Sequence, residues 1–203
     1  MLTYEQRQQF HKFGYIVLRQ IIPSEMINNV RRSINHSIGE EGLDKEDLPR
    51  LRQQSYCNEI RESHTVIDLC NETDVYYSAE SLMGKGNVEK VINGQIALRF
   101  PMGPEIKKAE LSGHLDGLGT GLNGNSKGSY GRNFTALAVF LLSKIETSFS
   151  GNFTVWPKSH TFFQKYFEEN GHQTLENGMP SVELPEDPVM IKGNPGDVVI
   201  THH

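Results

Sequence analysis

At Gly84 the texture of the chain changes, and that change limits the folds open to it. Before it, apolar residues recur at helical spacing. After it, short β-favouring runs alternate with glycine-rich turns. Thr3 and Gln6 have capping-box spacing, and Gly14 closes the first helix. Tyr15-Ile16-Val17-Leu18 reads as a buried strand. Ser24 caps a second helix through Met26, Ile27, Val30, Ile34 and Ile38, and Gly39 ends it. Residues 40–49 are acidic and stop at Pro49, which predicts a surface loop, and residues 58–83 read as helix.

Beyond Gly84 the spacing predicts strands over 88–92, 95–100, 111–116, 134–142, 152–156, 189–192 and 197–202. A helical start followed by many short strands predicts an α+β, mainly β architecture. The pattern suits a double-stranded β-helix, a cupin-like jelly roll, with N-terminal helices packed outside. No βαβ alternation is present, which disfavours a doubly wound fold. The 203 residues suit a single domain, helical over 1–83 with the jelly-roll core over 84–203.

Bulk properties remove several function classes. Net charge is −5 and no Lys/Arg run forms a basic stripe, so nucleic acid is not an expected partner. No stretch approaches the ~20 apolar residues of a membrane span. The first residues lack a basic and then apolar signal, so the expected location is cytoplasmic. Cys57 and Cys70 make neither a metal-type pair nor a disulfide framework.

The chemistry-bearing stretch is Gly113-His114-Leu115-Asp116-Gly117. In a strand, His114 and Asp116 share a face, with Cα atoms roughly 7 Å apart. An imidazole nitrogen and a carboxylate oxygen can then converge on one ion. Two histidines and one carboxylate with open positions opposite suit non-haem Fe(II) and oxygen chemistry. The bland alternative is a polar loop at a strand end. Gly119-Thr120-Gly121-Leu122-Asn123-Gly124 matches G-x-G-x-x-G, but no helix pattern follows it, so a dinucleotide site is not expected. Six glycines over residues 117–132 instead predict a mobile loop beside the pair.

Gln95, Ala97 and Arg99 share one strand face, and Ile96, Leu98 and Phe100 the other. Gln95 and Arg99 face either a polar barrel interior or solvent. Residues 134–142 are almost unbroken apolar sequence and read as a central strand buried on both faces. His160, after Pro157 and Ser159, is a rival metal ligand or a hydrogen-bonded turn residue. Phe162, Phe163, Tyr166 and Phe167 follow at helical spacing up to Gly171.

Taken in order, these segments resemble the phytanoyl-CoA dioxygenase family of Fe(II)- and 2-oxoglutarate-dependent oxygenases. The resemblance rests on five segments: Gln9-Phe10-His11-Lys12-Phe13-Gly14-Tyr15-Ile16-Val17-Leu18, residues 95–100, His114-x-Asp116, Gly151-Asn152 with Pro157-x-Ser159-His160, and Gly196-Asp197-Val198-Val199. It implies that His114 and Asp116 ligate Fe(II). It also implies that Gln95 and Phe140 line the 2-oxoglutarate pocket. The implied reaction hydroxylates a C–H bond of a small organic substrate with O2, giving succinate and CO2. The family's distal histidine then falls a few residues beyond His203, with its 2-oxoglutarate-binding arginine further on. Two groups and at least one C-terminal strand are thus expected to be missing, leaving an unpaired sheet edge and an inactive 203-residue form. Alternatively His202 or His203 substitutes, and strand alternation lets only one of them face the ion. The runner-up expectation is a non-catalytic, cupin-like small-molecule-binding protein. Neither reading fixes the substrate or the oligomeric state.

Overall fold

The computed structural model describes residues 1–42, 56–100, 111–116, 118 and 134–202. It is a mixed α/β protein; the described residues form two small antiparallel sheets and no closed barrel. Helices α1 (Tyr4–Phe13), α2 (Ser24–Glu41), α3 (His64–Asn71) and α4 (Asp74–Met83) come largely before the sheets, and α5 (Ser159–Asn170) lies among the later strands. Strands β1 (Tyr15–Leu18), β2 (Ala136–Phe140) and β5 (Val198–His202) form one sheet in the order β1-β5-β2. Strands β3 (Thr154–Val155) and β4 (Val189–Met190) form the other. Among the described residues no helix is long and apolar enough to cross a membrane.

The larger sheet has two differently packed faces, as strand alternation requires. Ile16, Leu18, Val198 and Ile200 are buried in a cluster with Phe10, Ile27, Val30, Ile34, Leu69 and Val75, so one face lies against the helices. On the other face, Val17, Val139 and Val199 join Phe153, Val155 and Ile191 and pack the second sheet onto the first. β5 is therefore the central strand, with Val198, Val199 and Ile200 all buried. The apolar run expected at the centre, residues 134–142, instead places β2 at the edge of the sheet formed by the described strands, and all five of its residues are only half-buried.

Local capping chemistry explains the helix ends. Thr3 and Gln6 form the anticipated capping box, and Gly14 closes α1 at φ +81°. α2 runs through Gly39 and stops at Gly42, where φ is +75°. Ser24 is its first helical residue, with Pro23 at the cap position. The single helix expected over 58–83 is broken into a short 3-10 turn, α3 and α4. Two polar residues account for the breaks. Ser63 is extended before α3. Thr73 is extended before α4, where its hydroxyl donates to the Leu69 carbonyl and accepts from the Val75 N–H.

Three expected strands are absent. Residues 88–92 and 95–100 are irregular apart from one bridge, Tyr56 to Ile96. Helix side chains meet the backbone of the first run instead of a ladder: the Asn71 amide brackets Val91, and the Tyr76 hydroxyl donates to the Val88 carbonyl. Residues 111–115 are also irregular and Asp116 sits in a turn. Residues 43–49 of the acidic loop, the 117–132 loop apart from Leu118, and His203 lie outside the described residues. Cys57 and Cys70 are both buried and are not joined in a disulfide.

Candidate metal-ligating site

His114 and Asp116 meet, though not by strand alternation. The turn at Asp116 brings its Oδ1 to 3.2 Å from His114 Nε2. The hydrogen bond to Asp116 raises the His114 pKa from its ordinary value, against partial desolvation. The imidazole is 77% exposed and the carboxylate 43%, so both reach solvent.

That separation can be compared with what one ion needs. Two ligand atoms each roughly 2.1 Å from a metal, at about a right angle, lie about 3 Å apart. The observed 3.2 Å fits neighbouring positions on one ion, once the shared proton is lost. Among the described residues, no group of three His, Cys, Asp or Glu side chains is placed to hold a metal. The pair therefore supplies two ligands of a possible three.

The surrounding packing draws distant segments together. A Cβ built on Gly113 would lie 3.5 Å from the Trp156 ring, so the chain entering the pair rests on that indole. A Cβ on Gly151 would lie 2.9 Å from Arg99 Cβ, which puts residues 95–100 beside the start of the Gly151–His160 stretch. Gly14 lies against the His160 ring, where a Cβ would be 2.5 Å from Nδ1. His160 has the turn role: at the start of α5 its Nε2 donates to the His11 carbonyl at 3.1 Å. Its ring is 5.1 Å from that of His202, which itself stands 6.1 Å from Phe10. His202 therefore shares the helix-side face of β5 with Ile200.

The two residues expected to line a cosubstrate pocket lie apart from each other in burial. Residues 95–100 alternate, with Ile96 buried, Leu98 and Phe100 packed on the helix-side cluster, and Gln95 exposed. Phe140 faces the helix-side cluster, opposite Val198 in register.

A second constellation escaped the sequence reading. Asp197 is fully buried. Its carboxylate accepts from Arg19 Nη1 at 2.7 Å, the Gln20 N–H at 2.8 Å and the Asn194 N–H at 2.9 Å. Burial pushes its pKa up, but the bonds from Asn194, Arg19 and Gln20 outweigh that and hold it below the ordinary value. The Gly-Asp dipeptide marked the turn. Nothing local pointed to Arg19, 178 residues away. No model of a known protein family matches the chain, and no curated protein matches it.

Proposed function

We propose that this protein is an Fe(II)- and 2-oxoglutarate-dependent dioxygenase that hydroxylates a small organic substrate, built on a jelly roll whose two sheets are those described above. The observation that carries this reading is the 3.2 Å approach of His114 Nε2 and Asp116 Oδ1, with both side chains open to solvent. The mutual packing of the Gly14, Arg99, Gly113 and Gly151–His160 segments supports it, because a shared site needs those segments adjacent.

His114 and Asp116 would hold the ion, Asp116 as the anionic oxygen ligand and His114 as a neutral imidazole. Bound iron would supply oxidative decarboxylation of 2-oxoglutarate coupled to C–H hydroxylation. His114 must release its proton to ligate, and Asp116, which now holds that proton by a hydrogen bond, would turn its oxygen to the metal instead. Gln95 and Phe140 are the candidate cosubstrate contacts.

One observation favours a second reading, a small-molecule-binding protein without turnover: no third ligand joins the pair among the described residues. Succinate release from 2-oxoglutarate, measured with Fe(II) and O2 across a substrate panel, separates the two. Iron-dependent succinate that disappears in Asp116→Ala supports the oxygenase. Binding of 2-oxoglutarate with no succinate from any substrate supports the binding protein.

A further inference from the structure

The chain has a single tryptophan, Trp156, and its backbone is held on both sides. Val155, the last residue of β3, is buried and pairs with Val189 of β4. After the indole, the Trp156 carbonyl accepts from the Ser159 N–H at 3.1 Å, and the Lys158 N–H donates to the Phe13 carbonyl at 3.0 Å. The contact this fixed residue makes with the metal-ligating stretch has a defined geometry. A Cβ on Gly113 would stand 3.5 Å from Cε3, 3.5 Å from Cζ3 and 3.6 Å from Cδ2. Those are three consecutive atoms of the six-membered ring, and a point nearly equidistant from all three lies close to the ring's axis, over its face. An approach in the plane of the ring would leave the third atom much further away. In glycine a hydrogen takes the Cβ direction, so one Gly113 Cα–H lies over the indole. The chain entering the pair, residues 111–115, is irregular, and this ring is a fixed surface against it.

We infer that Trp156 is the positioning residue of the His114–Asp116 pair. Its ring face seats Gly113 and so holds His114, the next residue, where Nε2 meets Asp116 Oδ1 at 3.2 Å. The inference rests on the reading of that pair as metal ligands. A segment already seated when an ion arrives need not be ordered by binding, so the ring raises metal affinity without touching the metal. The same seat makes Trp156 a built-in reporter. Its fluorescence responds to a paramagnetic ion held by the residue next to its contact.

Titration of the 203-residue chain with Fe(II) in the absence of oxygen, followed by calorimetry and by Trp156 fluorescence, tests this. In the wild type the two readouts should share one midpoint, and His114→Ala should abolish both. Trp156→Ala should weaken Fe(II) binding by about tenfold or more, the scale on which residues outside the ligand set act, with far-UV circular dichroism unchanged. Trp156→Phe should recover most of that loss, because a phenyl group still offers a ring face. Gly113→Ala leaves the ring in place, and its methyl would rest on the face at ordinary contact distance. It should therefore bind Fe(II) at least as tightly as the wild type, whether or not the Trp156 variants fold. A wild type that binds no Fe(II) would overturn the ligand reading and this one together. The positioning role alone is overturned if binding depends on His114 yet Trp156→Ala matches the wild type. It is equally overturned if wild-type fluorescence does not change, or if Gly113→Ala weakens binding about tenfold.

Discussion

Replacing Asp197 with alanine should be among the most damaging single changes available to this fold. The carboxylate is fully buried and joins the end of β1 to the turn before β5 through three donors at 2.7 to 2.9 Å. Hydrogen bonds to a charged group contribute about 1.5–3 kcal/mol each, and breaking a buried pair costs about 3–5 kcal/mol. Two considerations reduce that range. Arg19 is 58% exposed, so its charge returns to water rather than staying buried and unpaired. The substitution also removes the desolvation cost that the carboxylate carried. The expected loss is about 3 kcal/mol, which for a chain of this size lowers Tm by roughly 6–12 °C. Urea denaturation followed by circular dichroism measures it. Arg19→Ala should cost only about 1 kcal/mol, because the two backbone donors keep their acceptor. If Asp197→Ala loses less than about 1 kcal/mol, or Arg19→Ala loses as much as Asp197→Ala, the argument from backbone donors fails.

The same carboxylate predicts acid sensitivity. Its pKa is lower folded than unfolded, so its contribution is complete above about pH 4 and disappears as pH falls through the folded value. Asp197→Asn should flatten that acid limb, and an unchanged pH profile would count against it. Gly196→Ala should cost more than Gly86→Ala. Both have positive φ, but a Cβ at Gly196 would meet the Ile22 carbonyl oxygen at 2.9 Å, while at Gly86 it would meet nothing within 4 Å. Equal losses in the two variants would remove the steric argument. Gly39→Ala, inside α2 with open space around it, should stabilise by about 0.5–1 kcal/mol, which a higher urea midpoint would register. Under the oxygenase reading, His114→Ala and Asp116→Ala should each abolish Fe(II) binding in calorimetry while leaving Tm nearly unchanged, since both side chains reach solvent. Wild-type metal affinity should rise with pH through the elevated His114 pKa, because the proton and the metal compete for one nitrogen.

Signals carried within a few residues were legible in the sequence. The Thr3–Gln6 box, Gly14, β1 and the Gly171 stop all appear where local chemistry put them. The His114–Asp116 approach was legible for the same reason, since a two-residue spacing keeps the groups close in a strand or a turn. Readings that depended on a distant neighbour failed. Residues 88–92 and 95–100 have strand composition, but a ladder needs a partner, and Asn71 and Tyr76 take the backbone of the first run instead. The run at 134–142 looked central because its side chains are apolar, yet β5 occupies the centre. Hydrophobicity reports burial of faces and says nothing about which edges are paired. The Asp197 latch and the Trp156 ring under Gly113 were illegible because each joins segments far apart in the chain.

The central position of β5 also has a consequence during synthesis on the ribosome. β1 emerges early and β2 much later, but neither pairs with the other in the finished sheet; among the described strands both pair with β5 alone. Until residues 198–202 leave the exit tunnel, two apolar strands wait without their template. Contacts of such long sequence separation close slowly, and unpaired strands are exposed to neighbours throughout the wait. Nascent-chain force measurements should therefore place the folding transition of this sheet only after β5 has emerged, however early the N-terminal helices form.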